Sequence, residues 1–132
     1  QPADLLALTP FVVEHFGWDW YRLARENLVA LFGAGSDELG VWVASRGSQV
    51  IGYCQHNRER FGPFGVDSAL RGKGIGRVLL FRCLADMLAK GDHCAWFLWT
   101  SRRTAGLYAQ AGFRMARQFA IMERAVEATH GG

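Results

Sequence analysis

The stretch Arg71-Gly72-Lys73-Gly74-Ile75-Gly76-Arg77 interleaves glycines with cations in one short turn. Glycine lets successive backbone N–H groups point the same way without interference from Cβ. The residues that follow have helical spacing, so the turn opens into a helix N-terminus. The first amides there have no partner within the helix, and the helix dipole adds positive charge. Such a turn is suited to holding a phosphate. Lys73 and Arg77 add charge at its rim. Arg77 is expected on the otherwise apolar face of the first helical turn, where a phosphate contact is its natural use.

Spacing separates three kinds of phosphate loop. A nucleoside triphosphate loop needs GxxxxGK followed by Ser or Thr, but Asp67 stands five before Gly72 and Gly74 follows Lys73. The dinucleotide fingerprint GxGxxG would need glycine at Arg77. Arg-x-x-Gly-x-Gly remains, at Arg71, Gly74 and Gly76. The plain alternative is a glycine turn needed only for tight packing of strand against helix.

The turn must be positioned by a strand before it and a helix after it. The strand is expected from about Arg58 to Val66 and the helix from about Gly74 to Lys90. On that helix Arg82, Asp86 and Lys90 share one face, and Leu80, Leu84, Met87 and Leu88 the other. Upstream, Thr9-Pro10 predicts a helix start, although the chain is already helical from Leu5, and Gly17 predicts the stop. A second helix spans about Asp19 to Leu31 and is closed by Phe32-Gly33-Ala34-Gly35. Val41–Ala44 and Val50–Gln55, joined through Ser45-Arg46-Gly47-Ser48, read as a hairpin. Downstream, His93–Thr100 predicts a strand, Arg103–Ala111 a short helix and Phe113–Arg124 a last strand. The class is therefore α/β, with a mixed sheet.

Half of the 132 residues are hydrophobic and 20% are charged, enough for one domain with one packed core over residues 1–132. A net charge of +3 favours anionic ligands without forming the basic stripe of a nucleic-acid binder. No apolar run approaches the ~20 residues that span a bilayer. The cysteines, Cys54, Cys83 and Cys94, form no CxxC pair, which reads as reduced thiols in a cytoplasmic protein. Cys83 and Cys94 are expected in the core.

The segment Arg71 to Gly76, the helix after it and Leu107-Tyr108-Ala109-Gln110-Ala111-Gly112-Phe113 resemble the GNAT superfamily of acyl-coenzyme A N-acyltransferases. The resemblance runs over roughly residues 41–123. In that family a (Gln/Arg)-x-x-Gly-x-(Gly/Ala) turn holds the coenzyme A pyrophosphate. The resemblance implies a mostly antiparallel, twisted and splayed sheet flanked by helices, with the family's first strand missing here. It also implies acetyl-CoA as co-substrate, an amine as acceptor and no metal. Gly62-Pro63-Phe64-Gly65-Val66 carries a residue with no N–H and weak strand formers, so a bulge or broken ladder is expected there. The backbone about Phe64, Gly65 and Val66 would then meet the pantetheine arm. Arg71, Gly72, Lys73, Gly74, Ile75, Gly76 and Arg77 would hold the diphosphate.

Acyl transfer to an amine needs the neutral amine, and at pKa ~10.4 less than ~0.1% is neutral near neutral pH. A base or a water chain must take the proton, and the departing thiolate needs a donor. Tyr108 stands where the family's general acid stands; the alternative is a ring packed on the last strand. Glu59 is the candidate base, with His56 behind it, and Glu59 reads equally as a solvated charge between Arg58 and Arg60. The family's asparagine near the pantetheine is Ser101 here. Phe16, Trp18, Trp20 and Tyr21 cluster at the junction of the first two helices, as core or as the wall of an acceptor site of apolar or cationic character. Two readings follow: an N-acetyltransferase, or a non-catalytic acyl-CoA-binding module of a tandem protein. In either, a second domain or a dimer partner would supply the missing sheet edge.

Overall fold

The computed structural model describes residues 2–33 and 37–126; the expected closing turn through Ala34 and Gly35 lies outside them. The chain divides after Thr100 into two compact units. The first holds helices α1 (Pro2–Phe16) and α2 (Trp18–Gly33), strands β1 (Leu39–Arg46), β2 (Gln49–Asn57) and β3 (Arg60–Val66), a single 3-10 turn at Ser68–Leu70, and helix α3 (Ile75–Ala89). The second holds helix α4 (Arg102–Gln110) and the segment after it.

The three strands form one antiparallel sheet in the order β1-β2-β3. Alternation along β2 sends its side chains to two different layers. Tyr53 and Gln55 face α1 and α2: Tyr53 joins a buried cluster with Leu8, Phe11, Val12, Ala24 and Val50, and the Gln55 amide reaches the Leu23 carbonyl. Cys54 and His56 face α3, which buries Leu79, Leu80, Cys83 and Met87. Each such apolar side chain contributes roughly 1.5–3 kcal/mol on burial.

Several expectations are corrected by packing. Pro10 lies inside α1 instead of opening it, because Leu8, Phe11 and Val12 on both sides of it share one buried face. The buried stripe of α3 is displaced by about one residue from the expected one, leaving Leu88 exposed. His93–Thr100 forms no strand: its ladder contact with β3 among the described residues is one parallel bridge, Trp96 to Arg60, with the Phe97 ring 6.1 Å from that of Phe61. Beyond that bridge nothing in the described residues continues the ladder, and Cys94, Leu98 and Trp99 are exposed. The expected last strand is also absent, since Arg114–Val126 is exposed and has no ladder partner among the described residues. A strand is stable only with a paired edge, and among the described residues neither segment builds one.

Close approach explains Gly40. A Cβ there would overlap the Asp86 carboxylate and the His56 ring. Gly40→Val should therefore destabilise the fold by about 3 kcal/mol, since neither neighbour is free to withdraw. Urea unfolding against the parent checks this, and an unchanged midpoint would contradict the packing described.

Candidate functional site

β3 ends where the glycine turn begins, and its hydrogen bonds decide what it can offer a ligand. The Asp67 amide bonds to the Ile51 carbonyl at 2.8 Å. In an antiparallel ladder bonded and non-bonded pairs alternate. Gly65 opposite Tyr53 is therefore bonded to β2, whereas Val66 and Phe64, opposite Gly52 and Cys54, turn their peptide groups to the other edge. Upstream, the register shifts where Gly62 and Pro63 oppose Gln55 alone, the bulge expected from the composition. At the start of β3 the outer edge is occupied: Phe61 N–H donates to the Trp96 carbonyl at 2.8 Å and Trp96 N–H to the Glu59 carbonyl at 2.9 Å. The edge thus begins joined to the 93–100 segment and leads from there to the turn.

The turn is built locally. Asp67 caps the 3-10 turn by accepting from the Ala69 amide at 2.9 Å. Gly72 and Gly74 have φ of +79° and +83°, in the left-handed region that favours glycine. Gly74 is the N-cap of α3, without a side-chain hydrogen bond, and its carbonyl accepts the first helical bond, from Val78. Among the described residues no protein acceptor takes the amides of residues 71–77. Nothing lies within 4 Å of a Cβ built on Gly72 or Gly74. Tight packing therefore does not explain these two glycines, and the space before them is open. Arg71 and Lys73 are exposed beside it. Arg77 is exposed too, with its guanidinium 5.6 Å from the Phe81 ring centroid, so it does not lie on the buried face where the sequence placed it.

The other candidates fall in different places. Gly65 has its peptide group in the β2 ladder, and its missing Cβ makes room for the Phe16 ring. Glu59 sits in the β2–β3 turn, a full strand length from Asp67, roughly 25 Å at ~3.3 Å per residue. It hydrogen-bonds Cys94, which, with burial and the charges of Glu59 and Asp92, raises that thiol above its usual value. Glu59 also lines a shallow depression of about 450 Å³ with Asn57, Arg60, Asp92 and Trp96. His56 faces away from this edge and is fully buried. In the second unit Ser101 is the N-cap of α4, with Oγ 3.1 Å from Thr104 Oγ1. Tyr108 is buried in α4, and Phe113 meets its ring edge-on at 5.4 Å.

One network escaped the sequence. Asp86 and Lys90 read as a solvated face, yet Asp86 accepts from His56 Nε2 at 2.7 Å and from Lys90 Nζ at 2.8 Å. Lys90 also donates to the Leu39 carbonyl at 2.7 Å, and His56 Nδ1 lies 3.1 Å from the Arg58 carbonyl. The network ties α3 to β1 and β2. His56, thirty residues away, carries no local signal of it. Burial alone would push the Asp86 carboxyl up, but the hydrogen bonds and charges of Lys90 and His56 outweigh it and hold it below the usual value.

An antiparallel sheet whose last strand leads through an amide-lined turn into a helix is the frame that carries these candidates. The chain belongs to the acetyltransferase (GNAT) domain family, whose sequence profile matches residues 37–115, more than half of it. No curated protein matches by sequence. Solved structures share the fold. Glucosamine-6-phosphate N-acetyltransferase from Arabidopsis thaliana superposes with a TM-score of 0.57 at 16% identity, covering 77% of this chain and 76% of that one. A GCN5-related N-acetyltransferase from Ralstonia eutropha gives 0.60 at 19% identity, covering 80% and 76%. The aminoglycoside N-acetyltransferase AAC(6')-Iy, solved in complex with CoA, gives 0.57 at 13% identity, covering 82% and 92%. Among the described residues no helix is long and apolar enough to cross a membrane, and no cluster of His, Cys, Asp and Glu could hold a metal.

Because the folded-state value of Asp86 lies below its unfolded one, its contribution is present above the ordinary aspartate range and is lost as pH falls through and below it. Acid unfolding of Asp86→Asn should accordingly be shallower in pH than that of the parent. Parallel acid titrations of the two proteins would refute the coupling.

Proposed function

We propose that this protein is an N-acetyltransferase that moves an acetyl group from acetyl-CoA directly to a primary amine. The observation that carries this reading is the run of amides from 71 to 77 with no protein acceptor, set behind open space and continuous with the outer edge of β3. The amides about Gly72, Gly74 and Gly76 and the first turn of α3 would hold the diphosphate, with Arg71, Lys73 and Arg77 adding charge. The outward peptide groups of Phe64 and Val66 would pair with the amide-bearing arm, and Ser101 would add a hydroxyl contact. Tyr108 would protonate the departing thiolate. Glu59, at the closed end of the same edge, would take the amine proton directly or through water.

Three free cysteines, two of them buried, fit a reducing compartment, and we place the protein in the cytoplasm. Burial, followed by its hydrogen bond to Cys83, raises the Cys54 thiol well above the usual value, so it is no competing nucleophile. The segment Arg114–Val126, exposed and with no ladder partner among the described residues, supports completion of the fold by a second domain of the same family or a dimer partner.

Calorimetry with acetyl-CoA and a thiol-release screen over primary amines test the reading. Gly74→Val should abolish acetyl-CoA binding while the protein stays folded, because a β-branched residue cannot keep the left-handed turn. Tyr108→Phe should lower kcat about 100-fold with acetyl-CoA affinity unchanged, within the range of a lost general acid. Binding without turnover on any amine would point instead to a non-catalytic acyl-CoA-binding module.

A further inference from the structure

Helix α3 is apolar on two sides. One side, Leu79, Leu80, Cys83 and Met87, is buried. The other is Val78, Phe81, Ala85 and Leu88, which follow one another in steps of three, four and three residues. At 3.6 residues per turn those steps return to one side of a helix, so the four form a continuous stripe. The stripe is open: Val78 is 61% exposed, Phe81 43% and Leu88 74%, and Ala85 is exposed as well. Single exposed apolar residues are ordinary, but a contiguous row marks a contact surface. A helix lying on a sheet normally turns polar residues outward, and α3 does not.

Charge frames the stripe. Arg77 flanks it on one side and Arg82 on the other, and both are exposed. The Arg77 guanidinium stands 5.6 Å from the Phe81 ring centroid. Among the described residues neither arginine has a carboxylate partner. Asp86, the one acid of α3, is engaged by His56 and Lys90 instead. This face is therefore apolar along its middle and positive on both edges.

We propose that the outer face of α3 docks an acidic amphipathic helix of a partner protein, with apolar residues at three- and four-residue spacing and carboxylates on both flanks. The partner's apolar ridge lies along the stripe, with the small Ala85 as the gap between Phe81 and Leu88. Its carboxylates meet Arg77 and Arg82. Val78 to Leu88 spans ~15 Å of helix, the footprint of one docked helix. A second copy of this chain fits less well. A stable dimer buries about 800 Å² on each partner, more than four side chains supply. Two copies of this face would also set arginine against arginine, with no acid between them. The proposal stands apart from the acetyltransferase reading, and Arg77 alone belongs to both surfaces.

The test titrates a synthetic alanine-rich peptide of about 18 residues, long enough to cover the stripe, into the isotopically labelled full chain. The peptide carries leucines at the stated spacing and glutamates on both flanks, and a second peptide has lysine for every glutamate. Amide shifts should map to the outer face of α3. Phe81→Asp and Leu88→Asp should each weaken the glutamate peptide at least about tenfold. Arg82→Glu should weaken it about threefold, the size of one exposed ion pair, and added salt should weaken it further. Thermal unfolding of all three variants should match the parent, because the altered side chains are exposed. No binding of the glutamate peptide, equal binding of the lysine peptide, or affinity unchanged in both aspartate variants would overturn the proposal. Binding to phosphatidylserine vesicles without peptide binding would assign the face to lipid and overturn it too. So would a dimer in sedimentation of the chain alone that Phe81→Asp dissociates, since a second copy would then cover the stripe.

Discussion

A backbone amide with no carbonyl opposite it is costly to bury and useful to leave open. In this protein the amides of residues 71–77 stay open because two glycines in the left-handed region carry the chain from β3 into α3 without a side chain over the turn. The helix supplies its own unpaired amides and its dipole, so this run of donors is a property of the main chain. Side-chain cations stand only at its rim. Whatever else the domain does, it must hold β3 and α3 in register for this run of donors to survive.

That register is secured from both faces of β2. On one face, α3 packs through Leu79, Leu80, Cys83 and Met87 and is pinned by the bonds among His56, Asp86, Lys90 and the Leu39 carbonyl. Gly40 is small so that this network can lie against β1. On the other face, α1 and α2 bury an aromatic and aliphatic cluster, and Gly65 admits Phe16 onto β3. The two glycines play the same part on opposite sides: each trades a side chain for close approach. By contrast, the exposed Arg58–Glu38 pair, at 2.8 Å, contributes little to stability.

The edge of β3 couples this frame to function. It starts bridged to Trp96, passes a bulge at Gly62 and Pro63, and ends with peptide groups turned outward beside the turn. A continuous ladder there would consume the same groups. The weak strand composition of this segment, which reads as a defect by propensity, is where the register of β3 against β2 shifts.

The sequence by itself determined the turn, both flanking elements, the hairpin and the family, because those depend on local rules: glycine for positive φ, helical spacing after it, and Arg-x-x-Gly-x-Gly in order. It also located the bulge, since Pro63 has no N–H to place in a ladder. Tertiary structure decided what local rules cannot see. His93–Thr100 has strand composition but, among the described residues, forms one isolated bridge and no strand, and Asp86 and Lys90 look solvated until His56 arrives beneath them. Phe16 looks like ordinary core until Gly65 is found under its ring. In each case the deciding neighbour lies some thirty or more residues away, and pairing, burial and close approach are properties of the pair and not of either residue.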